Sequence, residues 1–188
     1  MNRNILAPAM AFAALVSAQA AQAQQQACVA PDDLGDTVIY AMPIAYDAFS
    51  TRCAARLNTD GFMARGGDTF IDGFRERQDG AWPGAFRLLK TFMAQDSADK
   101  GRADADMTAM IAALPEESLR PFVDGLVGQM IAEEIKPESC DKIERGLELL
   151  SPLPTENVAG LIAFIAELTD LKNPTICGAA PAPAPARK

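Results

Sequence analysis

The stretch "CVAPDDLGDTVIYAMPIAYDAFSTRC", residues 28–53, carries a cysteine at each end. Between them Leu34, Val38, Met42, Ala45 or Tyr46, Phe49 and Cys53 recur at three- and four-residue steps, and Leu57 continues the series. That spacing is one apolar face of an α-helix. Pro31 suits the first helical turn, where a missing N–H leaves no bond unmade. Pro43 falls in the interior, removes a donor and crowds the carbonyl of Ile39, so a kink is expected there.

The same period continues downstream. "NTDGFMARGGD" is a breaker-rich connection with room for one helical turn. "DTFIDGFRERQ" puts Phe70, Ile71 and Phe74 on one side of a short helix, and a second helix is expected to restart at Trp82-Pro83, with Trp82, Phe86, Leu89 and Met93 aligned. "DSADKGRADAD" is polar and reads as a surface loop; "MTAMIAAL" follows as a short helix with Met107, Met110, Ile111 and Leu114 inward. Leu119, Phe122, Val123, Leu126, Val127, Met130 and Ile131 fit the amphipathic template without a miss and predict one buried face. Ser118 is the expected N-cap, which keeps Pro121 within the first turn. Pro137 stops that helix. Cys140, Ile143, Leu147 and Leu150 mark another, and Val158, Leu161, Ile162, Phe164, Ile165 and Leu168 mark the last. No segment alternates apolar and polar residues with β-branched enrichment. The expected fold class is all-α: a compact single-domain bundle of six to eight helices.

The ends read differently. "MNRN", the apolar run "ILAPAMAFAALV" and the small-residue sites Ala18-Gln19-Ala20 and Ala21-Gln22-Ala23 form a secretory signal pattern, with cleavage expected after Ala23 and Ala20 as the alternative. The apolar run is too short for a membrane anchor. Residues 1–23 are therefore assigned to the signal peptide, 24–178 to the helical domain, and 179–188, "AAPAPAPARK", to a disordered Pro/Ala tail. The expected location is periplasmic or secreted, with no integral membrane segment after signal cleavage.

An even cysteine count behind a signal peptide reads as disulfides. Four cysteines, Cys28, Cys53, Cys140 and Cys177, allow three pairings. Cys28–Cys53 and Cys140–Cys177 are expected, because each pair brackets a compact helical segment. There is no C-x-x-C, and closed zinc sites pair their ligands two to four residues apart.

The segment from Ala27 to Cys53, continued to "WPGAF", resembles uncharacterised secreted helical proteins of proteobacteria. Those have a Cys near the mature N-terminus, a mid-helix Pro, a second Cys and a later Trp-Pro. The resemblance covers the first third to half of the chain and implies export and the first disulfide. It implies no activity.

Composition excludes more than it assigns. The chain has no histidine, which removes Ser-His-Asp and Cys-His nucleophiles and the usual zinc enzymes. Net charge is −8, and loss of Arg3 with the leader makes it −9; clustered Lys and Arg for a nucleic-acid surface are missing. The acidic excess is concentrated in residues 104–188, which carry fourteen acidic and seven basic side chains. That balance reads first as a well-solvated acidic surface, with a basic partner as the alternative, and the partner, protein or small molecule, is left unknown. Ser97-x-x-Lys100 and Ser139-x-x-Lys142 have the spacing of a lysine-activated serine but lack its S-D-N and K-T-G companions. Asp68, Asp72 and Gly73 come near a calcium loop without its closing Glu. Met107 and Met110 have a Cu(I)-like spacing, yet Ile111 and Leu114 continue the same face as core. No catalytic, cofactor-binding or metal residue is assigned, and no cofactor is expected. Arg75, Arg77 and Trp82, in "FRERQDGAWPG", are the candidate ligand surface. The expected function is non-catalytic: an exported helical protein that binds a partner or small ligand. The alternative is a carboxylate-based enzyme acting on envelope glycans.

Overall fold

The computed structural model describes residues 28–99, 115–169 and 175–177. The expected signal peptide (1–23), the Pro/Ala tail (179–188) and the segment with Met107 and Met110 lie outside them. Among the described residues there are five α-helices: α1 (Pro31–Cys53), α2 (Asp68–Asp99), α3 (Glu116–Glu134), α4 (Cys140–Leu150) and α5 (Thr155–Leu168). Two short strands, β1 (Cys28–Val29) and β2 (Thr175–Ile176), pair in parallel. The chain is mostly helical, as the periodicity requires, but six to eight helices overcounts them.

One overcount arises at Pro83. The helix expected to restart at Trp82-Pro83 is instead the middle of α2, which runs unbroken from Asp68. A π-turn, Met63–Gly67, feeds directly into it. A proline costs an interior helix one hydrogen bond. Here Ala81, Trp82, Ala85 and Phe86 around it are all buried, and their packing holds the helix together. Pro43 is likewise carried inside one continuous α1. Beside the missing Pro43 donor, Gln78 of α2 donates its Nε2–H to the Tyr40 carbonyl at 2.9 Å.

α3 starts earlier than expected. It begins at Glu116, behind an extended Pro115, so Ser118 is not its N-cap and Pro121 is interior. Glu116 and Glu117 occupy the first turn instead, where negative charge complements the helix dipole.

α1 is the central element. It packs against α2 along its length, and against α3 and α5. Its pairing with α2 is antiparallel: Asp33 meets Arg87 and Asp47 meets Arg75. Three apolar clusters lie around it. Tyr40, Trp82, Phe86 and Leu119 join α1, α2 and α3. Tyr46, Ile71, Phe74 and Val158 join α1, α2 and α5. Phe49, Cys53, Ile135 and Cys140 close the far end. Buried Glu144 of α4 accepts the Met63 N–H at 2.9 Å, satisfying a donor at the start of the π-turn.

The disulfides correct the expected pairing. Cys28 bonds Cys177, and Cys53 bonds Cys140, with Cα atoms 5.1 and 5.7 Å apart. Cys28–Cys53 is impossible in this fold, because 23 helical residues hold the ends of α1 about 33 Å apart. The lead-in does not fold back along the helix. It pairs with β2 instead, and Cys177 N–H donates to Val29 O at 2.8 Å.

The single buried face expected of α3 is also corrected. Leu119 is buried and Val123, Val127 and Ile131 are half-buried, but Phe122, Leu126 and Met130 are exposed. α5 divides in the same way. Val158, Ala159 and Ala163 are buried, whereas Leu161, Phe164, Ile165 and Leu168 are exposed.

Candidate binding groove between three helices

A groove of about 550 Å³ lies where α1, α2 and α3 meet. α1 supplies Pro43, Ile44, Asp47 and Thr51; α2 supplies Arg75 and Gln78; α3 supplies Asp124, Gly125, Gly128 and Gln129. The glycines make the space. Gly128 stands against Ile44, whose Cγ2 would lie 3.4 Å from an added Cβ, and Gly125 has no neighbour within 4 Å of one.

Charged groups in the groove are held in place. Arg75 donates to Asp47 at 3.0 Å and to Asp72 at 3.2 Å, and its guanidinium lies 5.9 Å from the Tyr46 ring centroid. On the opposite wall the Tyr40 hydroxyl donates to Asp124 Oδ1. The Tyr40 ring stacks on Trp82 with centroids 4.9 Å apart and lies 5.4 Å from the Arg120 guanidinium. Arg120 in turn donates to Asp79 at 2.6 Å. Burial, and then the Asp124 carboxylate, push the Tyr40 hydroxyl well above the ordinary phenol range. Two carboxylates from different helices thus line one groove, each with its own donor. The surface suits a polar ligand that exchanges hydrogen bonds with Asp47, Gln78, Asp124 and Gln129.

The candidate residues Arg75, Arg77 and Trp82 do not form one surface. Arg75 lines the groove. Arg77 is turned about 200° from it on a helix, and donates to Glu156 of α5 at 2.6 Å and to Gly73 O at 2.9 Å. Trp82 is buried between Tyr40 and Phe86, and its Nε1–H has no acceptor. Sequence reasoning missed Asp47, Gln78, Asp124 and Gln129. One signal was present: "FVDGLVGQM" sets an acid and two glycines inside an otherwise apolar run.

Other motifs stay separate. Ser139 closes a 3₁₀ turn, and Lys142 is exposed in the first turn of α4. Asp68, Asp72 and Gly73 are helical residues of α2, not a loop. Among the described residues no three Cys, Asp or Glu side chains come together as a metal site, and no helix is long and apolar enough to cross a membrane. Comparison with known proteins finds no matching family model, no matching curated protein and no matching solved structure.

Proposed function

We propose that this chain is an exported helical protein of the cell envelope that acts by binding a partner or small ligand, without catalysis. The observation that carries the reading is the outward apolar surface of α3 and α5, on a frame closed by two disulfides. Contiguous exposed apolar side chains on a folded domain mark interaction sites. The secretory pattern at the N-terminus, the paired cysteines and the resemblance to secreted proteobacterial proteins support export.

Native mass spectrometry of the protein purified from the envelope tests this. The expected species is the mature chain, lighter by four hydrogens than its reduced form, carrying an added mass. A bare chain under every mild condition would remove the binding reading.

The second reading, a carboxylate-based enzyme acting on glycans, draws on Asp47 and Asp124 lining one groove. General acid–base cleavage requires two such groups across a cleft. Turnover of envelope glycan that Asp124→Asn abolishes would establish it; no turnover would dismiss it.

A further inference from the structure

The groove between α1, α2 and α3 has a definite length. α1 and α3 run parallel along it: Tyr40 donates to Asp124, Ile44 stands against Gly128, and Arg52 donates to the Ile135 carbonyl at 3.3 Å. Asp124 is thus level with Tyr40, which lies seven residues before Asp47. At 1.5 Å per residue the two carboxylates are spaced about 10 Å apart along the groove axis. Between them the lining is aliphatic, from Pro43 and Ile44 on one side and Gly125 and Gly128 on the other. Past Asp47 a second cavity of about 440 Å³ opens, which shares Asp47 and Arg75 with the first and adds Asp68.

The polar atoms along this run are mostly acceptors. Gln78 donates its amide to the Tyr40 carbonyl, Gln129 donates to Glu133, and Arg75 donates to Asp47 and Asp72. Asp47 Oδ2, Asp124 Oδ2 and the Oε1 atoms of both glutamines receive no hydrogen bond from any described residue. Asp47, Asp72, Asp124 and Glu133 set four carboxylates against the Arg75 guanidinium. Arg120, behind Tyr40, is matched by Asp79. Counting Arg52, bound to its backbone carbonyl, still leaves an acidic excess of two. None of the first cavity's lining residues is aromatic, so it offers no platform for a sugar ring.

We infer that this groove binds a linear aliphatic polyamine. The inference rests on the binding reading above and names the small ligand's chemistry. One ammonium donates to Asp47 and another to Asp124, and the methylenes between them lie along Pro43, Ile44 and the two glycines. Each ammonium brings three donors to walls that present acceptors, and such charge-assisted hydrogen bonds are the strong ones. A third amine continues past the Arg75–Asp47 pair towards Asp68. A monoamine reaches one carboxylate only. An anion is repelled, and a neutral sugar gains nothing from the acidic excess.

Isothermal titration calorimetry of the oxidised mature protein tests this with spermidine, putrescine and butylamine. Affinity should fall in that order, with butylamine about tenfold or more below putrescine, the worth of one hydrogen bond to a charged group, and it should weaken at high salt. Asp47→Asn and Asp124→Asn should each weaken putrescine about tenfold. Should either fail to fold, Gly125→Leu, whose Cβ meets nothing within 4 Å, fills the groove and should abolish binding without lowering the thermal midpoint. Glu148→Gln, on α4 and outside the groove, should leave binding unchanged. Equal affinity for butylamine and spermidine, indifference to the aspartate variants, an equal loss in Glu148→Gln, or tighter binding of an oligolysine peptide or a neutral chito-oligosaccharide would each overturn the assignment. An added mass in the native spectrum without amine binding would sink this inference and leave the binding reading standing.

Discussion

Tyr40 ties the middle of the molecule together: its hydroxyl holds Asp124 of α3, its ring stacks on Trp82 of α2, and Arg120 lies over it. Its raised pKa has a consequence for stability. The folded state keeps the phenol proton after the unfolded chain, with its ordinary value near 10, has begun to lose it. The unfolded state then binds fewer protons, so stability is fully present below about pH 10 and falls as pH rises beyond it. Tyr46 shifts the same way, from burial and then from Asp68. Urea melts over a pH series should show this alkaline loss. Tyr40→Phe should reduce its slope and cost about 1–2 kcal/mol at neutral pH, because Asp124 loses a donor. Parallel curves for the two proteins would refute the assignment. None of this was legible beforehand, because "TVIYAM" gives no sign that an aspartate eighty-four residues later will accept that hydroxyl.

Helices approach each other through particular glycines, and two of these predict opposite outcomes. A methyl at Gly84 of α2 would overlap Oδ2 and Cβ of Asp36 on α1, whereas one at Gly125 of α3 meets nothing within 4 Å. Gly84→Ala should destabilise by about 1–3 kcal/mol through overpacking. Gly125→Ala should stabilise by about 0.5–1 kcal/mol through helix propensity. Equilibrium denaturation of both variants decides it, and a common sign would contradict the packing of α1 on α2. At this scale much was legible. The three- and four-residue period located α1 and both terminal helices, since it follows from the geometry of a buried stripe. Proline misled where tertiary packing outweighed its local cost, at Pro83 and Pro121. Periodicity also misjudged Phe122, Leu126 and Met130, because it reports that a face is apolar and not whether anything covers it.

Across the whole molecule the two disulfides are nested, the link between Cys53 and Cys140 lying inside the loop closed by Cys28 and Cys177. That the cysteines pair was readable from their number; which ones pair depended on the length of α1 and on where β2 returns. Loops of 87 and 149 residues make each closure worth about 5 kcal/mol on the chain-entropy model, more than the local pairing would have contributed. Connectivity also sets the order of events during maturation. A chain entering an oxidising compartment from its N-terminus presents Cys28 and Cys53 first, while both rightful partners are still to come. On the proposed export route the earliest bond available is therefore a wrong one, which would have to be undone before α1 could hold Cys28 and Cys53 at its opposite ends. Oxidative refolding without an isomerase should accumulate a species in which these two neighbours are joined, resolved by non-reducing peptide mapping, and a disulfide isomerase should clear it. On the proposed export route, this protein would then depend on disulfide proofreading, and its yield would follow the supply of isomerase more closely than that of oxidant.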